Sequence, residues 1–468
     1  MFKLSRRTAL KSAVSSAAAL LGRPMLGQGA PAEQPEIPAD PTKIQGRGWR
    51  ELGERSPFER PRRLPYDGDV SLAPLQDLHG IITPADLHFE RHHGGVPAID
   101  PARYRLLVHG LVKRPTVFTL ADLKRFPSRS RICFIECSGN GSRGYRNIAA
   151  EITPQNLDGL TSTSEWTGVA LATLFREVGV ELRATWFLAE GMDAAVMTRS
   201  IPMKKAWDDG MIAYAQNGEA LRPEQGYPAR LVLPGWEGNS QVKWRRRVAA
   251  APSTTTTMSW PGAFDKTDAF SSVWDPLEGL AHGGAGGRSR GGVVRDDEAN
   301  EPAPTVDSFG FGLPATEEQI RAWDTDVRPD GQGLPAGRGT VAQGASIYTL
   351  KCAACHGDRG RDGPFDPLVG REPREGFGFG RDPSLKRTIG SYWPYATTLF
   401  DYTRRAMPWI APGSLGDDEV YALVAYLLFL NEIVPEDAVM DADTLPRVVM
   451  PARNRFVRDN RRGGSEIR

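Results

Sequence analysis

Cysteine is scarce in this sequence, with four residues at 133, 137, 352 and 355, and histidine occurs only seven times. So few thiols in 468 residues exclude a disulfide framework. Cys133 and Cys137 lie in an apolar, strand-like run that separates their Cα atoms by roughly 13 Å at about 3.3 Å per residue. A disulfide tolerates less than about 7 Å, so they cannot pair while that run stays extended. Net charge is lacking too: 58 Lys and Arg stand against 57 Asp and Glu, which removes the electrostatic case for nucleic-acid binding. No apolar run approaches the ~20 residues that a spanning helix needs, so no membrane span is expected. Glycine (50) and proline (37) are plentiful, and long irregular stretches follow from them.

What is present divides the chain. The length favours two domains with connectors. Residues 1–30 carry Ser5-Arg6-Arg7-Thr8-Ala9-Leu10-Lys11 ahead of the mild apolar stretch Ala13 to Leu21, the pattern of a twin-arginine export signal, so a periplasmic location is expected. Residues 31–75 read as an extended arm. Residues 76–250 alternate short apolar runs with helix-like segments: Tyr104 to Val108, Ile132 to Ile135, Thr185 to Leu188 and Arg230 to Leu233 read as strands, Thr119 to Phe126 and Ala170 to Val178 as helices. That is an α+β domain. Periodicity disappears over 251–308, read as a low-complexity linker. An all-α domain is expected over 309–434, closed by a helix from Asp417 to Asn431 with the apolar stripe Val420, Leu423, Val424, Leu427 and Leu428. Residues 435–468 read as an irregular, basic tail.

Two motifs carry chemistry. Cys352-Ala353-Ala354-Cys355-His356 is the spacing of covalent haem c attachment: two thioethers hold the porphyrin while the adjacent imidazole of His356 reaches the iron. A zinc site would need a second pair of thiols, which the chain lacks. A thioether is wanted as the other axial ligand, and Met407, in Ala406-Met407-Pro408-Trp409 before the last helix, is the candidate; Met440 and Met450 lie too far beyond that helix. This half resembles the class I cytochromes c, and most of all the cytochrome subunit of bacterial sulfane dehydrogenase, over Pro412-Gly413-Ser414-Leu415 and Asp418-Glu419-Val420-Tyr421.

The second motif is Glu136-Cys137-Ser138-Gly139-Asn140. A lone cysteine of this kind is ordinarily a small buried hydrophobe. Its surroundings resemble the sulfite oxidase family of molybdopterin proteins over most of residues 81 to 250. The resemblance rests on Ile82-Thr83-Pro84, Phe89-Glu90-Arg91-His92-His93, Cys137 to Asn140, Glu190 to Asp193, Gln225-Gly226-Tyr227-Pro228-Ala229-Arg230 and Gln241-Val242-Lys243-Trp244. It implies Cys137 as molybdenum ligand and catalytic residue, and Arg91 as a cation facing the substrate. It also implies that Phe89, Arg91, His92, His93, Asp193, Gln225, Arg230, Gln241, Val242 and Lys243 bind molybdopterin. Gly141 and Ser142 stand where sulfite oxidases usually have two arginines, and Gln225 where the eukaryotic enzymes have a histidine. A less cationic pocket resembles instead the molybdenum subunit of sulfane dehydrogenase. The family's immunoglobulin-like dimerisation domain is expected to be absent, because residues 251 to 304 show no strand pattern.

Together these resemblances imply a molybdenum and haem c oxidoreductase of thiosulfate oxidation. Its expected partners are a sulfur-carrier protein bearing a sulfane substrate and a soluble cytochrome c as acceptor. Sulfite:cytochrome c oxidoreductase, a non-catalytic electron carrier and a haem-bearing binding module for the carrier stay open as alternatives.

Overall fold

The structure, a computed structural model, describes residues 47–66, 70–141, 144, 152–252, 308–380 and 385–455. The expected export signal, Ser142 and Arg143, most of the expected linker and the last residues of the tail lie outside them. The chain divides into two units, Met1–Glu59 and Arg60–Arg468. Of the first, residues 47–59 are described; they are exposed and form no strand. Everything below concerns the second unit.

Its α+β half is built on two sheets. Strands β1 (Leu64–Pro65), β2 (Val70–Leu72) and β3 (Glu90–Arg91) form a small antiparallel ladder. The larger sheets use β4 (Leu106–Gly110), β5 (Thr116–Phe118), β6 (Ser128–Glu136), β7 (Thr161–Ala170), β8 (Trp186–Gly191), β9 (Thr198–Pro202), β10 (Met211–Gln216), β11 (Glu219–Ala220), β12 (Arg230–Val232), β13 (Arg245–Ala251) and β14 (Leu313–Pro314). One runs in the order β11-β10-β7-β6, with β12 also on β10; the other runs β14-β5-β4-β13-β8-β9. β4 and β13 are parallel; the remaining pairs are antiparallel. β7 alternates buried and half-buried residues along its length, the period-2 signature of a strand with one face in a core. Helices α1 (Leu120–Arg125), α2 (Pro154–Asp158), α3 (Leu171–Val178) and α4 (Met203–Asp208) connect the strands. α3 buries Leu171, Leu174, Phe175 and Val178 and stops at Gly179, whose φ of 67° suits glycine.

The haem-motif half holds α5 (Glu317–Trp323), strand β15 (Arg338–Thr340), α6 (Val341–Lys351), α7 (Ala353–His356), α8 (Ala396–Ala406), α9 (Asp417–Leu430) and β16 (Val439–Asp441). Val420, Leu423, Val424, Leu427 and Leu428 are all buried on α9. α6 meets α9 at backbone contact: a Cβ on Gly344 would lie 1.9 Å from the carbonyl oxygen of Ala422.

Three expected boundaries move. The arm ends earlier than 75, because β1 and β2 are in the fold and Leu72 and Ala73 are buried. The helical half does not begin at 309: Phe309 and Phe311 pack against Phe126, and β14 adds an edge strand to β5 of the first domain. The tail does not begin at 435 either, since β16 pairs with β15 and Met440, Leu445 and Met450 are buried in the helical core. That half is therefore not purely α; it adds a two-stranded ladder. Cys133 and Cys137 are both free, as the extended run of β6 requires.

Candidate functional site

β6 delivers Cys137 to the mouth of a cleft. The residue follows the last position of the strand, and its amide donates to Leu160 O at 2.9 Å. Asn140 holds the turn after it: Nδ2 donates to Glu136 Oε1 at 2.9 Å and Oδ1 accepts from Leu160 N at 3.0 Å. The Gly139 amide points at Cys137 Sγ, 3.5 Å away. Gly238 closes the other side, where a Cβ would meet Glu136 O at 3.0 Å. Burial pushes the Cys137 thiol up, against the pull of the Gly139 amide and of Arg91. A bound metal is what would hold such a sulfur as thiolate.

The cleft has room for water over about 160 Å3, and every molybdenum-side candidate lines it: Phe89, Arg91, His92, His93, Cys137, Asp193, Gln225, Arg230, Gln241, Val242 and Lys243. Several of these side chains are already committed to the wall. Lys243 Nζ donates to His92 Nδ1 at 2.8 Å and to the carbonyls of Arg91 at 3.1 Å and Glu224 at 3.0 Å. With Nδ1 accepting, His92 Nε2 carries the proton shared with Glu90 Oε2 at 2.9 Å. Arg91 donates to His92 O at 2.6 Å. Gln225 Nε2 donates to Phe89 O, and Gln241 spends its amide on Trp236 O and Leu233 N. Arg230 is buried over the Trp166 ring at 4.8 Å and donates to the carbonyls of Gln225 and Gln241.

The electrostatics favour an anion. Arg91 and Arg230 face one buried carboxylate, Asp193, which burial shifts upward, while burial pulls Lys243 well below the ordinary lysine range. Burial and the neighbouring Arg91 and Arg199 keep His93 neutral, its pKa well lowered. Burial also drops His88 to about 3. Two buried atoms of lining residues, Arg230 Nε and His88 Nε2, have no hydrogen-bond partner among the described residues. Buried polar atoms normally find partners, so the wall suits a group that brings its own polar edges. One thiolate donor, excess cations and unsatisfied wall atoms fit a metal carried on an anionic, hydrogen-bonding cofactor better than a bare ion. Molybdopterin has those properties.

Sequence reasoning missed His88, Met197 and Asn239, which also line the cleft, as do Ser138 and Trp244 of the quoted motifs. Ser138 and Asn239 face each other, Nδ2 to Oγ at 3.5 Å. The only signal for Asn239 was a Gly-Asn-Ser turn, the commonest loop chemistry.

The haem motif lies at the end of α6. Cys352 caps that helix and the next turn carries Cys355 and His356, whose amides donate to Cys352 O at 3.1 and 3.0 Å. Both thiols are free, and burial raises Cys352 to about 11. His356 Nδ1 lies 3.0 Å from Asp366 O, so Nδ1 donates and Nε2 is left as the ligand nitrogen. Met407 caps α8 and packs, half-buried, on the same apolar cluster as Cys352. Met440 and Met450 are core residues, closed to ligation by packing. Those groups suit a covalently held haem with histidine and methionine ligands.

Comparisons with known proteins find a match in each half of the chain. Residues 93–258 match the family described as "Oxidoreductase molybdopterin binding domain", and residues 339–427 match "Cytochrome C oxidase, cbb3-type, subunit III". Among curated relatives, an NADH nitrate reductase of Brassica napus is 36% identical over 202 residues, and NADH nitrate reductase 1 of Arabidopsis thaliana is 35% identical over the same length. Each alignment covers 40% of this chain and 22% of the relative, so the chain spans about a fifth of those proteins. Among solved structures, the sulfane dehydrogenase SoxCD from Paracoccus pantotrophus is 38% identical, covering 52% of this chain and 58% of that one with a TM-score of 0.40. The chain joins a region similar to the oxidoreductase molybdopterin-binding domain to a C-terminal region similar to a cytochrome c subunit of the cbb3 type.

Proposed function

We propose that the protein is a periplasmic dehydrogenase that oxidises the sulfane sulfur of a carrier-bound intermediate and passes the electrons singly to an external cytochrome c. The supporting observation is the placement of Cys137 on a cation-lined cleft in the same compact unit as a single Cys-x-x-Cys-His domain. Molybdenum on its pterin supplies two-electron chemistry coupled to oxygen transfer from water, with two protons released for each oxygen delivered to sulfur. The chain's residues do the rest. Cys137 holds the metal, and Lys243 and His92 brace the wall. Arg91 offers positive charge to an anionic sulfur group, and Cys352, Cys355, His356 and Met407 hold the haem. A carrier-borne substrate brings its own binding surface and has less need of the two cations missing after Cys137.

The test is haem reduction by purified, cofactor-loaded protein. Carrier-bound sulfane should reduce the haem, and Cys137→Ser should abolish that reduction while dithionite still reduces the haem fully. Persistence of substrate-driven reduction in the variant would remove Cys137 from its role. Rapid reduction by sulfite alone would move the assignment to sulfite:cytochrome c oxidoreductase. Haem iron without molybdenum in metal analysis would leave an electron carrier.

A further inference from the structure

A buried cluster of charge lies at the seam between the two domains. From the first domain come Glu190 on β8 and Arg246 and Arg247 on β13; from the second come Asp326 and, on α8, Asp401 and Arg405. Two of the ion pairs, Arg247 with Asp324 and with Asp326, tie domain to domain; the others lie within one domain. Arg247 binds Glu190 at 2.6 Å, Asp324 at 2.8 Å and Asp326, none of which lines the cleft or belongs to the haem motif.

Arg405 is different. Asp401, one turn earlier on α8, grips its guanidinium with two contacts, Nε at 3.1 Å and Nη2. Asp401 is itself held by the Val327 amide at 3.1 Å. The remaining nitrogen, Nη1, crosses the seam and donates to Val196 O at 2.9 Å. Val196 belongs to a tight turn: it has a positive φ of 46°, its amide donates to Asp193 O at 2.9 Å, and the next amide, of Met197, donates to Asp193 Oδ1 at 2.9 Å. Asp193 and Met197 line the cleft with Cys137. Two residues after Arg405 comes Met407. A β-branched residue at positive φ is strained, and such a turn persists where its surroundings hold it.

We propose that Arg405 is a positioning residue for electron transfer, holding the cleft turn Asp193–Met197 and the haem-ligand turn at Met407 in one fixed relation across the Arg405–Val196 hydrogen bond. This rests on the dehydrogenase reading given above. A haem held by Cys352, Cys355, His356 and Met407 would take the two electrons of the proposed oxidation one at a time and give each to the external one-electron acceptor. The guanidinium keeps its proton and charge throughout.

The test uses full-length, cofactor-loaded protein carrying Arg405→Met together with Asp401→Asn. The asparagine keeps an acceptor for the Val327 amide and leaves no uncompensated buried carboxylate. Arg404→Met is the control, since Arg404 pairs with Asp417 at 2.8 Å on the outer side of the same helix. In the double variant, substrate-driven reduction of a dye that accepts electrons at the molybdenum site should be unchanged, as should haem reduction by ascorbate. Haem reduction after rapid mixing with substrate should slow by about tenfold or more, within the loss that an ångström-scale misplacement causes in a geometry-dependent step. Hydrogen exchange at the Val196 and Met197 amides should rise, with or without cofactor, and Arg404→Met should change none of these. An unaltered haem-reduction rate, or a dye reaction that falls in step with it, would overturn the proposal. Wild-type protein that fails to reduce its haem with any sulfur substrate would remove the dehydrogenase reading itself, a result separable from the exchange data.

Discussion

His88 and His109 show what burial does to a single side chain. Both are almost fully enclosed, and desolvation lowers their pKa values to about 3 and about 4. In the unfolded chain each would titrate near 6.5. Below that pH the unfolded state binds protons that the native state refuses, so stability falls as pH drops, by about 1.4 kcal/mol per unit for each group. Asp326 works the other way: burial raises it to about 6, so the native state holds a proton there that the unfolded chain has lost, and acidification through that range returns stability. Asp193 and Asp401 are raised as well, but His93, Glu177, Glu190, Glu419 and Asp441 are lowered and add to the two histidines, so the thermal midpoint should drop from pH 6.5 toward pH 4. His109→Gln should flatten that slope; an identical slope in the variant would show that His109 titrates normally. Single residues were legible where the chemistry is local. Cys352, Cys355 and His356 announce themselves by spacing and Cys137 only through the resemblance of its surroundings, whereas His88 and Asn239 depend on what the chain folds against them.

Among elements, the close crossing of α6 and α9 is the most exacting. A methyl group on Gly344 has no room beside Ala422, and one on Gly339 would meet the Ala422 amide at 2.2 Å. Gly344→Ala gains helix propensity and should still destabilise the cytochrome domain by about 1–3 kcal/mol, the usual cost of overpacking. Thermal melting followed at the haem would detect it; a neutral or raised midpoint would mean the helices separate easily. Strands and helices with strong periodicity, such as β7, α3 and α9, could be read from the chain because one buried face imposes the period. β14 could not: Leu313–Pro314 is two exposed residues long, one of them proline. Nor could the return of Met440, Leu445 and Met450 to the core, since spacings of five match neither the helical nor the strand period.

For the whole molecule, the seam decides whether there are two bodies or one. Arg247 is completely buried and faces Glu190 and Asp326. Removing one member of such a group leaves the others uncompensated, at about 3–5 kcal/mol. Arg247→Met should therefore turn one cooperative calorimetric transition into two, with the domains melting apart; a single transition at an unchanged temperature would show that the charges do not couple them. No residue pattern foretold this network. Its members lie as far apart as Glu190 and Arg405, and isolated charges along a chain look alike whether they end up solvated or paired.

The strand Leu313–Pro314 has one further consequence. The backbone is stitched to the first domain there and is pinned again at Asp324 and Asp326, ahead of the haem motif, so it has only a short leash. A haem held on so short a leash cannot ferry electrons outward by swinging to a distant acceptor and back. On the function proposed above, an external acceptor would have to travel to it.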